Sequence, residues 1–141
     1  MSGQPAAGPR AGETDLARLL AGLRPTLDER TEWVFCVIPG GAVPDASLAP
    51  VAMVREDEGW TAVIPRDRAE LARLVHDGTF RRVTLAVHSS LAAVGLLAVV
   101  TRALADAGIA CNAVSGAHHD HLFVPTDRAQ AAMAVLHALG P

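Results

Sequence analysis

Three histidines and an aspartate occupy four consecutive positions, His118, His119, Asp120 and His121, so half of the chain's six histidines lie here. His119 and His121 are two apart. In an extended strand both rings project to one face, a workable metal-ligand spacing, while Asp120 points to the other. A zinc centre needs three or four converging ligands. Only two can be named, so the expectation is no metal site, no cofactor and no metal-assisted hydrolysis. A second polar group, His88-Ser89-Ser90, precedes a long apolar run. It lacks the small-residue elbow of a hydrolase nucleophile, and no Ser, His and acid spacing accompanies it. No phosphate-binding glycine loop is present. All twelve basic residues are arginine, which excludes Schiff-base chemistry. These residues point to binding, not catalysis.

The rest of the composition agrees. In 141 residues half are apolar and 19% charged, which is a folding composition. The net charge of −3 comes with scattered arginines and no basic face, so nucleic acid is not an expected partner. The longest apolar run, "LAAVGLLAVV", has ten residues, well short of a membrane span. The opening "MSGQPAAGPRAGE" has no apolar core of a signal peptide. Cys36 and Cys111 sit in apolar runs without CxxC spacing and read as buried free thiols. The expectation is a soluble cytoplasmic protein.

Residues 1–12, rich in Gly, Pro and Ala, read as a disordered lead-in. Leu16, Leu19, Leu20 and Leu23 then mark a short amphipathic helix. A strand "EWVFCVI" and a proline-rich loop, residues 39–50, precede a hairpin of "VAMVRE" and "WTAVI" around "DEG". The second half reads strand ("RRVTLAV"), helix (Ala92 to Ala107, capped by Gly108), two strands ("IACNAVS", "HLFV") and a helix from 126 to 139 with Thr126 as N-cap. An offset of 60 residues overlays "VIPRDRAELARLV" on "FVPTDRAQAAMAV" with six identities in thirteen positions, and it aligns the strands upstream. The chain is read as a duplication. In that register "REDEG" corresponds to "GAHHD", which puts His118 and His119 at a hairpin tip.

Strand–helix–strand–strand–helix is a ferredoxin-like arrangement without its closing strand. Strand 33–38, or a strand from another subunit, is expected to fill the gap. The second half, in particular "VHSSLAAVG", "VGLLAVVTRALADAGI", the strand containing Asn112 and "HDHLFVP", resembles the ACT domain, the regulatory module that binds amino acids in aspartokinases. With "FCVIPG" in the first half, the chain is similar to the stand-alone bacterial proteins carrying two such units. The animal cytosolic arginine sensor is built from domains of the same type. The resemblance implies an α+β fold of two tandem βαββαβ units, antiparallel sheets with helices on one face. The units would span 13–78, a degenerate copy, and 79–141.

Elementary physics and the resemblance meet at one place. The loop "HSSLAAVG" leads into a helix whose first amides have no intrahelical partner and carry the positive end of the dipole, so a carboxylate can bind there. Carried over by position, the resemblance implicates His88, Ser89, Ser90, Val94, Gly95, Leu96 and Asn112, with the Ala113 and Val114 backbone, and places His119 and His121 at the site's edge. Two apolar faces on the helix, Val94, Leu97, Thr101 and Leu104 on one and Leu96, Val99, Val100 and Ala103 on the other, predict packing against a sheet and something further. The simplest partner is a second copy in a homodimer. The leading reading is a sensor that binds a free amino acid and acts through association or on a regulated protein of unknown identity. An interaction module without a ligand is the alternative; an enzyme built on the histidines ranks below both.

Overall fold

The computed structural model describes residues 12–141, so the lead-in expected over 1–12 lies outside them except for Gly12. Seven antiparallel strands form one sheet with helices on one face, an α+β arrangement of two ferredoxin-like units. In chain order the elements are α1 (Leu16–Ala21), β1 (Pro25–Leu27), β2 (Trp33–Ile38), β3 (Ala52–Glu56), β4 (Gly59–Pro65), α2 (Arg66–Leu71), β5 (Phe80–Leu85), α3 (Leu96–Asp106), β6 (Asn112–Ser115), β7 (Asp120–Pro125) and α4 (Ala129–His137). The sheet order is β3-β4-β2-β5-β7-β6, with β1 also on β5.

The offset of 60 persists in three dimensions. Ala52 pairs with Val63 as Asn112 pairs with Phe123, and Arg55 with Trp60 as Ser115 with Asp120. The two hairpins therefore share one register. The helices that follow do not match. α2 stops after six residues because Arg73 turns left-handed at φ 55°, which leaves Val75 exposed where Val135 packs on the core.

The gap in the second unit is filled mainly by a strand not expected from the sequence, with the expected strand 33–38 reaching it only at one end. β1, three residues beginning with proline, pairs with β5 from Pro25↔Leu85 to Leu27↔Val83. β2 meets β5 only at Trp33↔Phe80, so β1 and β2 lie end to end along it. Asp28 holds the joint. Its carboxylate accepts from the Arg30 and Thr31 amides and the Trp33 indole, and Arg82 lies 3.7 Å away. Burial opposes the charge on Asp28, but these donors outweigh it and its carboxyl stays below the ordinary value.

Two further expectations change. α3 begins at Leu96 rather than Ala92, because Gly95 adopts a left-handed φ of 101° as its N-cap, a conformation that favours glycine. Thr126 caps no helix: its hydroxyl pairs with that of Thr79, and residues Thr126–Arg128 form a 3-10 turn ahead of α4.

The alternating strand residues Val83, Leu85, Leu122 and Val124 face Leu96, Val100 and Leu104 of α3, Ala132 and Leu136 of α4, and Leu19 of α1, all in one core. Spacings of four along α3 keep these side chains on one stripe. α1 also packs on α3, so part of that helix's second apolar face is covered by its own chain. A smaller core joins Val34, Cys36, Ala62 and Ile64 to Ala69 of α2. On the helix-free face Trp33, Phe35, Phe80 and Phe123 pack edge to face, with Phe35 and Phe80 centroids 5.2 Å apart. Cys36 and Cys111 are free thiols, and burial raises the pKa of both.

Leu104 has no exposed surface, whereas Leu71 is 81% exposed. Leu104→Ala should cost about 2–5 kcal/mol in urea denaturation and Leu71→Ala under about 0.5 kcal/mol. Equal effects would contradict this assignment of the core.

Candidate functional site

After β5 the chain turns tightly. Val87 donates to the Leu85 carbonyl and Ser89 to that of Val87, at 2.8 and 2.9 Å. The segment ahead of α1 holds this loop from outside. Glu13 N–H donates to the His88 carbonyl and Ser90 N–H to that of Glu13, both at 2.9 Å, a short parallel bridge. The Glu13 carboxylate accepts from the Thr14 and Asp15 amides and sits below its ordinary pKa, chiefly through those two bonds. The approach is so close that a Cβ added to Gly12 would lie 2.5 Å from the Ser89–Ser90 peptide.

The loop, the first turn of α3 and the start of β7 enclose a cavity of about 250 Å³, lined among others by Ser89, Ser90, Gly95, Leu96, Ser115 and Asp120. One wall donates. The α3 N-cap is Gly95, with no side-chain cap, so the amides of Leu96, Leu97 and Ala98 are free of intrahelical bonds at the positive end of an 11-residue helix. Among the described residues the Ser89 hydroxyl makes no hydrogen bond, while that of Ser90 accepts from Ala92 N–H at 3.1 Å. The other wall accepts. Asp120 is 7% exposed and takes a 2.6 Å hydrogen bond from the Ser115 hydroxyl. No arginine or histidine pairs with it among the described residues. A buried carboxylate without a cation is costly, and here it faces a cavity whose far side attracts anions. The arrangement complements a small zwitterion.

Of the residues read from the sequence, Ser89, Ser90, Gly95 and Leu96 line this cavity, and His88 lies just outside it. Val94 is 82% exposed at the loop tip. Asn112, Ala113 and Val114 lie on β6, the free edge of the sheet, so a molecule in this cavity is not in reach of the Asn112 or Val114 side chains, which share the helix-free face with Phe123 and His121. The His121 ring bonds the Thr84 hydroxyl at 3.0 Å, across the sheet from the cavity, with the His119 ring near enough for its charge to act on it. Among the described residues no three His, Cys, Asp or Glu side chains converge as a metal site. Asp120 and Ser115 were missed, although strand alternation already set Asp120 opposite His121 and so toward the helices.

A larger cleft of about 690 Å³ lies where the units meet, lined by Arg30, Glu32, Arg66, Arg68, Glu70 and Arg81 among others. Some of its charges pair, Arg66 with Glu32 at 2.9 Å and with Glu70 at 2.8 Å, and Arg81 with Glu32 at 3.8 Å, whereas Arg30, Asp67 and Arg68 make no ion pair among the described residues. No described helix is long and apolar enough to cross a membrane.

Two family models described as ACT domain match this chain, over residues 11–81 and 79–138. A solved structure from Vibrio cholerae, described as a protein of unknown function and possible transport protein, is 40% identical with a TM-score of 0.78, covering 86% of this chain and 92% of its own. A protein from Agrobacterium tumefaciens, at 18% identity and TM-score 0.69, covers 83% of this chain and 88% of its own. The ligand-free regulatory subunit of aspartate kinase from Thermus thermophilus, at 13% and 0.58, covers 82% and 95%. The last two share the fold. No curated protein sequence matches the chain.

Burial, then the Arg82 and His119 charges, lower the pKa of His121 from its ordinary 6.5. The unfolded chain then takes up the proton first, so this contribution to stability is full above pH 6.5 and is lost as pH falls through the folded-state value. Imidazole NMR should place the His121 midpoint below 6.5, and His121→Asn should flatten the fall in stability on that side. A midpoint at or above 6.5 would contradict the packing described.

Proposed function

Because the chain belongs to the ACT-domain family, we propose that it is a regulatory protein that binds a free amino acid between the α3 N-terminus and Asp120. The single observation that carries this reading is the uncompensated Asp120 carboxylate opposite free helix amides, in a cavity sized for one small molecule. The ligand carboxylate accepts from the amides of the first α3 turn and from Ser89, with the helix dipole behind them. The ligand ammonium donates to Asp120, which Ser115 orients. The apolar Leu96 and Leu97 line the space left for a side chain. The ligand thus replaces water on both charged walls at once, and its binding ties the Ser89 loop to the hairpin.

Catalysis is not part of this reading. Ser89 has no bonded base, and Asp120 serves as a counter-charge. The protein acts by binding, in the cytoplasm, on a partner or on its own association. A homodimer fits the two free sheet edges, β3 and β6, and the exposed apolar Met53, Val54 and Val37. Within it Asn112, Ala113 and Val114 of one copy reach a ligand held by the other. The division of the chain near residues 78 and 79 follows the repeat, with α1 and β1 belonging structurally to the second unit.

A thermal-shift screen of the metal-stripped protein against the twenty amino acids tests this. A selective ligand at a hundred times its Kd adds about 2.7 kcal/mol. Asp120→Asn should weaken binding by about 10- to 150-fold, the loss of a hydrogen bond to a charged group, while leaving the free protein as stable or more so. No hit in the panel, or a hit indifferent to Asp120→Asn, would move the weight to an interaction module without a ligand.

A further inference from the structure

We propose that His88 and His118 form a two-imidazole site for a divalent ion of the zinc class. The two residues come from different segments: His88 lies in the loop that follows β5, just before Ser89, and His118 sits at the tip of the β6–β7 hairpin. Thirty residues apart in sequence, they bring His88 Nε2 and His118 Nδ1 to 3.4 Å, with ring centroids 5.1 Å apart and planes tilted by 58°.

At that separation one imidazole can donate a long hydrogen bond to the other when no ion is bound. The same separation matches the edge of a tetrahedron around an ion with nitrogen ligands at about 2.0–2.1 Å, for which the ligands stand about 3.3–3.4 Å apart. Two borderline nitrogen donors favour zinc, cobalt, nickel or copper over magnesium or calcium. His119 lies beside the pair, its ring centroid 6.4 Å from that of His118. No third protein ligand converges among the described residues. The remaining positions are therefore open to water or to an exogenous donor. This is not the His119 and His121 pair suggested by strand spacing, since His121 faces Thr84 across the sheet. An ion at this point bridges the two walls of the cavity, because His88 adjoins Ser89 and His118 lies two residues before Asp120. The metal site stands whether or not the cavity takes an amino acid.

Calorimetric titration of the metal-stripped chain with zinc alone, without any amino acid, should give about one equivalent. His88→Gln and His118→Gln should each weaken it by at least about 10-fold, no less than the loss of an outer-shell partner. His119→Gln and His121→Gln should leave it within about 2-fold. Imidazole nitrogen NMR should show zinc shifting Nε2 of His88 and Nδ1 of His118 in the unmodified protein, a readout that needs no variant to fold. Absence of zinc binding would overturn the proposal. So would binding that survives His88→Gln, or that depends on His119 in its place, since either marks an adventitious ion on the hairpin tip only.

Discussion

The three-residue pairing of Pro25–Leu27 with β5 holds the rest of the molecule in place. The second unit lacks the strand that would close its sheet, and an unpaired β5 edge there would leave backbone donors and acceptors to be satisfied elsewhere. The upstream chain fills that edge. It thereby brings α1 down onto α3, buries Leu19 and Leu23 in the main core, and carries Glu13 onto the Ser89 loop. The loop that forms the donor wall of the cavity is thus shaped by residues more than seventy positions earlier. Fold and site are one continuous construction.

The same connection explains how a duplicated chain came to hold one cavity of this kind. Both hairpins keep the same register, but the position of Asp120 is taken in the first unit by Trp60. There the loop after the strand is rich in proline and makes only a single 3-10 turn, Ala46–Leu48, whose Asp45 caps it locally. Without a helix N-terminus to attract an anion, and without an acid opposite, the first copy shares the scaffold and has neither polar wall. Its contribution is the sheet on which the second copy is extended.

Much of this was legible in the sequence. The 60-residue offset predicted the hairpin register, and two apolar faces marked α3 as a packed helix, although the buried stripe, Leu96, Val100 and Leu104, draws from both and leaves Val94 exposed. The loop beginning at Ser89 stood out because an uncapped helix start needs acceptors. Three features were hidden for physical reasons. A strand of three residues starting with proline is too short to show alternation. The run from Leu91 to Val94 has helical composition, and only the left-handed Gly95 decides that the helix starts after it. The role of Asp120 was masked by its histidine neighbours, whose spacing drew attention to the face they share and away from the one it occupies. Identity also misled once: Val75 matches Val135 in the repeat, yet one is exposed and the other packs on the core, because Arg73 ends α2 early.

The central claim is that a small zwitterion lies between the first turn of α3 and Asp120. The most direct measurement is a backbone amide NMR titration of the full chain with a mixture of free amino acids. The account predicts saturable shifts concentrated at Ser89, Ser90, Leu96, Leu97, Ala98, Ser115 and Asp120, with the donor amides moving downfield as they take a carboxylate. Shifts centred instead on the arginine-lined cleft around Arg66, or no saturable shift at any of these amides, would contradict it.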